Sequence, residues 1–280
     1  MSHFTVIVTR TNIQGESAEE QLAPFDENRR MPKYVLETRE QIITNGKKKI
    51  EEYKNSTYAE FLKDPEKYKA STTNRAHIKY LEEEFPKKLE WTDEEIYQDR
   101  IKWVEENELT PEGGIYSDIN PDAKWDWYEI GGRWSGYFKL KSDKQGALGS
   151  PGVFNNAPVF DADVAKLEDI DWSEMKSEKY SDGLKRWGEY KKALKSGKKV
   201  DSYWDFGIKE GEKKSEYLER VSSVAPFAIL HKGIWYEKGN MGWWGIVSNE
   251  DDIRSWHKTF DEVLKDCDKS DELTLVDCHI

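Results

Sequence analysis

Hydrophobic and polar residues follow a period close to two at both ends of the chain. Near the N-terminus the pattern spans HFTVIVTR, residues 3–10, and at the C-terminus it spans ELTLVDCHI, residues 272–280. A period of two is typical of a β-strand, whose successive side chains point to opposite faces of a sheet. The pattern predicts a strand at each end of the chain, and we expect both strands to belong to one sheet.

Between the two ends, apolar residues recur at spacings of three and four among many Lys and Glu. This spacing predicts helices over much of 36–107, within 172–196, near 212–221 and over 250–266. The sequence therefore predicts one α+β domain over 1–280. Its sheet is mainly antiparallel and contains both terminal strands, its helices pack mainly on one face, and 36–107 is an inserted helical segment that can form a subdomain.

The middle of the chain contains two segments that resemble hairpins. The first is KWDWYEIGGRWSGYF, residues 124–138, whose halves flank Gly131-Gly132, and the second is PFAILHKGIWYEKG around Lys232-Gly233. Gly131-Gly132 suits a two-residue turn, which requires positive φ angles. Because large aromatic residues in strands usually pack, four of them in the first segment are predicted to be mostly buried: Trp125, Trp127, Tyr128 and Trp134.

Composition narrows the function classes. The chain has 43 basic and 55 acidic residues and a net charge of −12, which argues against general binding to a nucleic-acid backbone. A surface that mimics nucleic acid stays an alternative, although lysines are interspersed with the acidic residues. The sequence has no recognisable secretion signal and no apolar run long enough for a membrane span, so we predict a cytoplasmic protein without membrane contact.

Five motifs are distributed over the chain: HFTV near the start, EQLAPFDEN at 20–28, KWDWYEIGGRW at 124–134, MGWWG at 241–245 and DCHI at the end. Together they resemble an uncharacterised family of phage-encoded proteins. The resemblance implies a phage or prophage origin, action in the host cytoplasm and an accessory role such as countering a host defence. It implies no particular chemistry.

The residues best suited to chemistry lie at the chain ends. If the terminal strands pair antiparallel, His3 approaches Asp277, Cys278 and His279 at one end of the sheet. These residue types can bind zinc or another divalent ion, and two histidines can also act as general acid and base. The alternative is structural, with Cys278 in the core and the histidines as polar strand ends, and the chain has no CxxC or HExxH spacing.

A second set of residues adjoins glycine turns or strand ends and is a candidate ligand-binding set. Arg133 can pair with an anionic group, the tryptophans of MGWWG can stack on a planar group, and Glu27 can handle a proton. The full set is Glu27, Tyr128, Arg133, Trp243 and Trp244. For each residue the alternative is a packing or surface role.

Three functions remain open at this point. The first is an accessory protein that blocks a host protein or sequesters a small nucleotide-like ligand. The second is a metal- or His-dependent hydrolase that acts on a nucleotide or another phosphate ester, for which His3, Asp277 and His279 are the catalytic candidates. The third is the acidic nucleic-acid mimic.

Overall fold

The computed structural model describes residues 2–10, 16–151, 158–197 and 200–280. Contacts between residues divide the chain into two compact units. The sheet unit comprises 1–29 and 120–280, and the helical unit comprises 30–119. The helical segment predicted at 36–107 falls within the helical unit. The sequence also predicts a long loop rich in Gly, Pro and Asn over 142–158, and its residues Val153 and Phe154 lie outside the described residues.

The strands and helices follow one another along the whole chain. The strands are β1 (His3–Arg10), β2 (Tyr34–Glu37), β3 (Ile115–Ser117), β4 (Trp127–Gly132), β5 (Ser150–Pro151), β6 (Val164–Lys166), β7 (Ala228–His231), β8 (Ile234–Glu237), β9 (Asn240–Met241), β10 (Val247–Ser248) and β11 (Glu272–His279). The α-helices are α1 (Ala18–Leu22), α2 (Arg39–Tyr53), α3 (Ala59–Lys63), α4 (Pro65–Ser71), α5 (Arg75–Lys79), α6 (Phe85–Lys88), α7 (Asp93–Ile101), α8 (Trp172–Lys195), α9 (Ser202–Phe206), α10 (Lys214–Val221) and α11 (Ile253–Asp266).

The sheet unit is built on a seven-stranded sheet. Six strands run in the order β5-β4-β11-β1-β7-β8, and β6 also pairs with β11. The terminal strands β1 and β11 pair antiparallel over their whole length, from His3 opposite His279 to Arg10 opposite Glu272. Only the β1–β7 and β4–β5 pairings are parallel among the described strands of this sheet. The predicted α+β fold, with both terminal strands in a mainly antiparallel sheet, is confirmed.

The two faces of the sheet are covered differently. On the first face, called here the α11 face, Ile7 and Leu275 pack against Trp256 and Phe260 of α11 and against Met175 of α8. Asp252 starts α11 by accepting hydrogen bonds from the N–H groups of the second and third residues that follow it. The long helices therefore lie on one face, as predicted.

The opposite face, called here the α1 face, is covered by a short helix and loop residues. Phe4, Val6 and Cys278 pack there against Leu22 of α1 and against Trp125. Because side chains alternate along a strand, neighbouring residues of β1 and β11 belong to different faces. This alternation decides which of the predicted site residues can meet.

The predicted hairpin at Gly131-Gly132 is wrong. Strand β4 pairs antiparallel with β11 and parallel with β5 instead. After β4 the chain turns back on itself, with the N–H of Trp134 donating to the carbonyl of Gly131. The predicted burial is right for Trp125, which is 7% exposed, and wrong for Trp127, which is 43% exposed. The second predicted hairpin is confirmed, because β7 and β8 pair antiparallel around Lys232 and Gly233.

The helical unit contains α2 to α7 and the two-stranded ribbon of β2 and β3. Helices α2 and α7 pack closely at Gly46, where a Cβ atom would lie 2.4 Å from a side-chain carbon of Ile96. Thr92 and Glu95 form a capping box at the start of α7. No helix in the described part of the chain is long and apolar enough to cross a membrane.

Candidate active site at the end of the terminal strands

The register of β1, β11 and β4 brings two histidines together. His3 lies opposite His279, and His279 lies in turn opposite Trp127 of β4. Directly paired residues of antiparallel strands point to the same face, so all three side chains belong to the α11 face. The rings of His3 and His279 have centroids 4.8 Å apart and an interplanar angle of 71°. The predicted approach of His3 and His279 is therefore found.

Each histidine is bonded to its own carboxylate. His3 Nδ1 lies 2.8 Å from Oδ1 of Asp277, and His279 Nδ1 lies 2.5 Å from Oδ1 of Asp126. Neither Nε2 atom has a hydrogen-bond partner among the described residues. A carboxylate at Nδ1 favours the tautomer with the proton on Nδ1, which leaves the Nε2 lone pair available in the neutral ring. The pair can therefore accept or donate protons at the Nε2 atoms of two adjacent rings.

Burial increases from the rim to the base of this site. The side chain of Asp277 is 1% exposed, whereas those of His3 and His279 are 9% and 12% exposed. The more exposed Trp127 lies edge-on to both imidazoles, with centroid distances of 6.1 and 6.5 Å. We call the group of His3, His279, Asp277, Asp126, Glu129 and Trp127 the terminal-strand site. It combines a buried carboxylate, two partly exposed imidazoles and an aromatic rim.

The glycine pair at the end of β4 makes room for two buried carboxylates. Gly132 has a φ of +52°, and a Cβ atom there would lie 2.5 Å from the Cβ of Asp277. Gly131 has a φ of +77°, and its Cβ would lie 2.4 Å from Oδ2 of Asp163. Glycine is the residue that meets both requirements, a positive φ and a close approach. The two glycines of KWDWYEIGGRW are thus explained by these contacts and not by a hairpin turn.

Asp163 holds the loop that follows β4. It is fully buried, and its carboxylate accepts hydrogen bonds from the hydroxyl of Ser135 and from the N–H groups of Gly136 and Gly149. The same loop supplies the N–H of Arg133, which donates to Oδ2 of Asp277 at 2.9 Å. Asp277 is therefore held from two sides, by the loop backbone at Oδ2 and by His3 at Oδ1.

Glu129 adds a second carboxylate beside Asp277. The two residues lie directly opposite each other on β4 and β11. Partial burial and the negative charge of Asp277 raise the pKa of Glu129 above its usual range. Glu129 thus keeps its proton to higher pH than an ordinary glutamate, and it is the carboxyl of this site best suited to donate a hydrogen bond.

Cys278 and Tyr128 lie on the α1 face and do not join the terminal-strand site. Cys278 is fully buried among apolar side chains, and burial, followed by the charge of Asp277, raises the pKa of its thiol well above the usual range. Tyr128 lies opposite Cys278 and packs edge-on against Trp125 at a centroid distance of 4.9 Å. Within the described ranges, no group of three or more His, Cys, Asp or Glu residues could hold a metal ion.

The MGWWG segment is hydrogen-bonded to Ser2, the residue that precedes His3. The hydroxyl of Ser2 donates to the carbonyl of Gly242 and accepts from the N–H of Gly245, at 2.6 and 2.7 Å. Trp244 is 81% exposed and has a φ of +64°, which is unusual for a residue other than glycine. The side chain of Trp243 lies outside the described part of the chain.

Glu27, another predicted ligand-binding residue, is exposed. Its N–H donates to the carbonyl of Trp125 at 2.8 Å, so its backbone is attached to the segment that leads into β4. Asp126 and Trp127 follow Trp125 directly. The structure therefore connects Glu27 to this region through the backbone, whereas the side-chain partners of His3 and His279 are Asp277 and Asp126.

Three residues of the terminal-strand site were not predicted from the sequence: Asp126, Glu129 and Trp127. The alternation in KWDWYE already places Trp127 and Glu129 on one face. The sequence does not show which strand pairs with β4, and in the structure this strand is β11. With that pairing known, the register alone would have identified both residues.

The chain matches no family model, no curated protein and no solved structure. The function is therefore argued from the geometry of the terminal-strand site.

Proposed function

We propose that the protein is a hydrolase that acts on a nucleotide-like phosphate ester and uses His3 and His279 as a general acid and base. The observation that carries this proposal is the pair of adjacent imidazoles, each bonded at Nδ1 to a separate carboxylate. Positioned acid and base groups of this kind contribute about 10²- to 10⁴-fold to a rate. The chain provides two of them within reach of one small substrate group.

The reaction needs one neutral and one protonated imidazole. The neutral ring takes a proton from an attacking water at Nε2, and a bond forms between the water oxygen and phosphorus. The bond from phosphorus to the leaving oxygen breaks, and the protonated ring gives its Nε2 proton to that oxygen. Asp277 and Asp126 hold the two rings in the required tautomers and stabilise whichever ring is charged.

The surroundings of the histidines favour a particular class of phosphate ester. Trp127 offers an exposed aromatic face on which a nucleobase can stack, which is worth about 1–3 kcal/mol. The carboxylates of Asp126 and Asp277 repel negative charge, so a phosphodiester with one charge fits better than a monoester with two. We therefore propose a nucleotide-like phosphodiester as the substrate.

The biological setting proposed here is that of an accessory phage protein in the host cytoplasm. The five distributed motifs support it through their resemblance to phage-encoded proteins. Hydrolysis of a nucleotide-like diester would suit a counter-defence role, since it would destroy a small nucleotide-like ligand of the host.

The test is a hydrolysis assay with bis(p-nitrophenyl) phosphate and a panel of linear and cyclic dinucleotides. We expect turnover by the unaltered protein and a loss of at least about 100-fold in kcat/KM for His3→Gln and for His279→Gln. His77→Gln is the matched control, because His77 lies in the helical unit and contacts Tyr68. Full activity of both site variants, with normal melting curves, would contradict the proposal.

A second candidate is a binding protein without chemistry. The observation that favours it is the exposure of Trp244 at 81% and Trp127 at 43%, since exposed tryptophans are typical of ligand or partner contacts. Such a protein would sequester a nucleotide-like ligand or block a host protein. It would return the ligand unchanged, and Trp127→Ala would weaken binding whereas His3→Gln would not.

The acidic nucleic-acid mimic is the weakest of the three proposals. Many carboxylates are paired with lysines, as in Lys54–Glu51, Lys69–Glu82 and Lys88–Asp99. A mimic requires an array of carboxylates without intervening cations, and these pairs are the opposite arrangement.

A further inference from the structure

The imidazole of His257 lines a cavity of the sheet unit. None of the residues that line this cavity belongs to the terminal-strand site. His257 Nε2 lies 2.7 Å from Oγ of Ser223, well within hydrogen-bond distance. Both residues line a cavity of about 380 Å³ with residues of α8, α11 and the segment 222–225. A serine and a histidine at this distance are the arrangement by which a hydroxyl is activated as a nucleophile.

Local structure fixes both members of the pair. Ser223 follows the end of α10, and its N–H donates to the carbonyl of Arg220. Its carbonyl accepts from the ammonium of Lys179, and its Oγ accepts from the N–H of Ala225 at 3.3 Å. On α11, Trp256 packs into the core, and His257 is the next residue, so its ring lies on the adjoining stripe beside the cavity.

The electrostatics keep His257 ready to accept a proton. Burial, and then the charge of Lys176, lower the pKa of His257, whereas the charge of Asp261 raises it by a smaller amount. Lys176 and Asp261 both line the cavity. The imidazole is therefore neutral at neutral pH, and the Asp261 carboxylate lies one helical turn along α11, where it can stabilise the charged ring that forms during reaction.

Aromatic, aliphatic and polar side chains line the cavity. Trp172 lines it, and its indole N–H is buried without a hydrogen-bond partner in the described part of the chain. The rest of the lining is mixed. Its apolar part comprises Val224, Ala225, Phe260 and Leu264, and its polar part comprises Ser173, Lys176, Ser222 and Asp261.

We propose that Ser223 and His257 form a second catalytic site, in which Ser223 is the nucleophile for esters of short apolar acyl groups. Ser223 Oγ attacks the ester carbonyl carbon while its proton passes to Nε2 of His257. The ester C–O bond breaks, and the leaving oxygen takes the proton from His257. Water then attacks the acyl-serine by the same route, which releases the carboxylic acid and restores the hydroxyl.

The size and lining of the cavity set the substrate class. A volume of about 380 Å³ lies at the lower end of small-molecule sites, which suits a short acyl chain against Phe260 and Leu264. This site shares no residue with the terminal-strand site.

The first experiment treats the full chain with a fluorophosphonate probe and maps the label by peptide mass spectrometry. We expect one label per chain, on Ser223. Ser223→Ala should remove the label, whereas Ser173→Ala, a change at another serine lining the same cavity, should keep it. Absence of a label at Ser223 in the unaltered protein would overturn the proposal, and this outcome does not depend on whether any variant folds.

The second experiment measures p-nitrophenyl butyrate hydrolysis by the unaltered protein and by His257→Gln. We expect a burst of p-nitrophenolate followed by slower turnover, and a loss of at least about 100-fold in the rate of the burst for the variant. Labelling and burst rates in His257→Gln equal to those of the unaltered protein would show that His257 does not activate Ser223.

Discussion

The two ends of strand β1 each bring a histidine into contact with a carboxylate, but the two histidines are bonded differently. At the start of β1, His3 uses Nδ1 to contact Asp277. At the other end, Thr9 Oγ1 lies 2.7 Å from Nδ1 of His231, whose Nε2 lies 3.0 Å from Oδ2 of Asp266. His231 is 3% exposed and has both ring nitrogens bonded.

The comparison shows that a His–Asp contact alone does not make an acid–base site. His231 has no nitrogen left with which to meet a substrate, so its contacts connect β1, β7 and α11. The neighbouring Cys267 has its Sγ 3.6 Å from Nδ1 of His231, yet burial raises the pKa of its thiol to about 12. The thiol stays protonated and is a poor nucleophile. His3 and His279, by contrast, each keep Nε2 available.

The largest expected effect is on kcat/KM, and it distinguishes the two ends of β1. His3→Gln and His279→Gln should each lower kcat/KM for a phosphodiester by about 10²- to 10⁴-fold, because each removes a proton-transfer group. The double variant should lose little more than either single variant, since the two groups act as a unit. His231→Gln, assayed at a temperature where it is folded, should keep the original kcat/KM. An equal loss in His231→Gln would remove the distinction between the two ends.

For the free energy of unfolding, the comparison predicts the opposite order, with a larger loss on substitution of His231 than of His3. His231→Ala leaves the buried hydroxyl of Thr9 without this partner, and we expect the free energy of unfolding to fall by about 1–3 kcal/mol. His3→Ala should cost less, because the Oδ2 atom of Asp277 keeps its bond from the N–H of Arg133. Urea denaturation of both variants measures the difference. A larger loss in His3→Ala would indicate that the first end of β1 is the structural one.

The close approach of Gly132 to Asp277 can be tested by comparing substitutions at Gly132 and at Gly211. Gly132→Ala introduces a Cβ atom 2.5 Å from that of Asp277, whereas Gly211 has a similar positive φ and nothing within 4 Å of its Cβ position. Both substitutions strain the backbone by about 1–3 kcal/mol, but only Gly132→Ala should also displace Asp277 and lower activity. Unfolding curves and hydrolysis rates are compared for the two variants. Equal losses in both measurements would show that the close approach has no consequence.

The aromatic rim is tested by ligand affinity. Trp127→Ala should weaken binding of a nucleotide-like diester by about 1–3 kcal/mol, through loss of stacking, with a small effect on stability because Trp127 is 43% exposed. Trp204, which is 83% exposed, provides the control, and Trp204→Ala should change neither quantity. Titration calorimetry measures both affinities. An unchanged affinity for Trp127→Ala would remove the stacking role.

The smallest effect concerns Glu129 and pH. Its pKa is raised in the folded protein, so folding is penalised when Glu129 is ionised. This penalty is absent below the unfolded pKa of about 4.3 and grows as the pH rises toward the folded pKa. Glu129→Gln should therefore be slightly more stable than the unaltered protein at pH 7, by about 0.5 kcal/mol or less, and the gain should vanish at acid pH. Melting temperatures measured across this range would contradict the account if the gain appeared only at low pH.

The sequence predicts the centre of the site well, because its residues lie on the two terminal strands. Alternation identified β1 and β11, and their antiparallel pairing was enough to bring His3 to Asp277 and His279. The same alternation places Cys278 on the opposite face of the sheet from His3, Asp277 and His279. The set of candidates chosen from the sequence nevertheless included Cys278.

The remaining parts of the site depend on pairings that local patterns do not encode. Gly131-Gly132 has the composition of a hairpin turn, yet its positive φ angles serve a close approach to Asp163 and Asp277. Trp127 was predicted to be buried because the partner and the depth of β4 were unknown. Ser223 and His257 are 34 residues apart and follow no spacing motif, so only the fold brings them together.

The most direct test of the central claim is the pH dependence of phosphodiester hydrolysis by the unaltered protein, His3→Gln and His279→Gln. The account predicts a bell-shaped profile of kcat/KM for the unaltered protein, with one limb from the general base and one from the general acid. Each variant should lose one limb, and the two variants should lose opposite limbs. A profile that keeps both limbs in both variants would contradict the assignment of His3 and His279 as the acid–base pair.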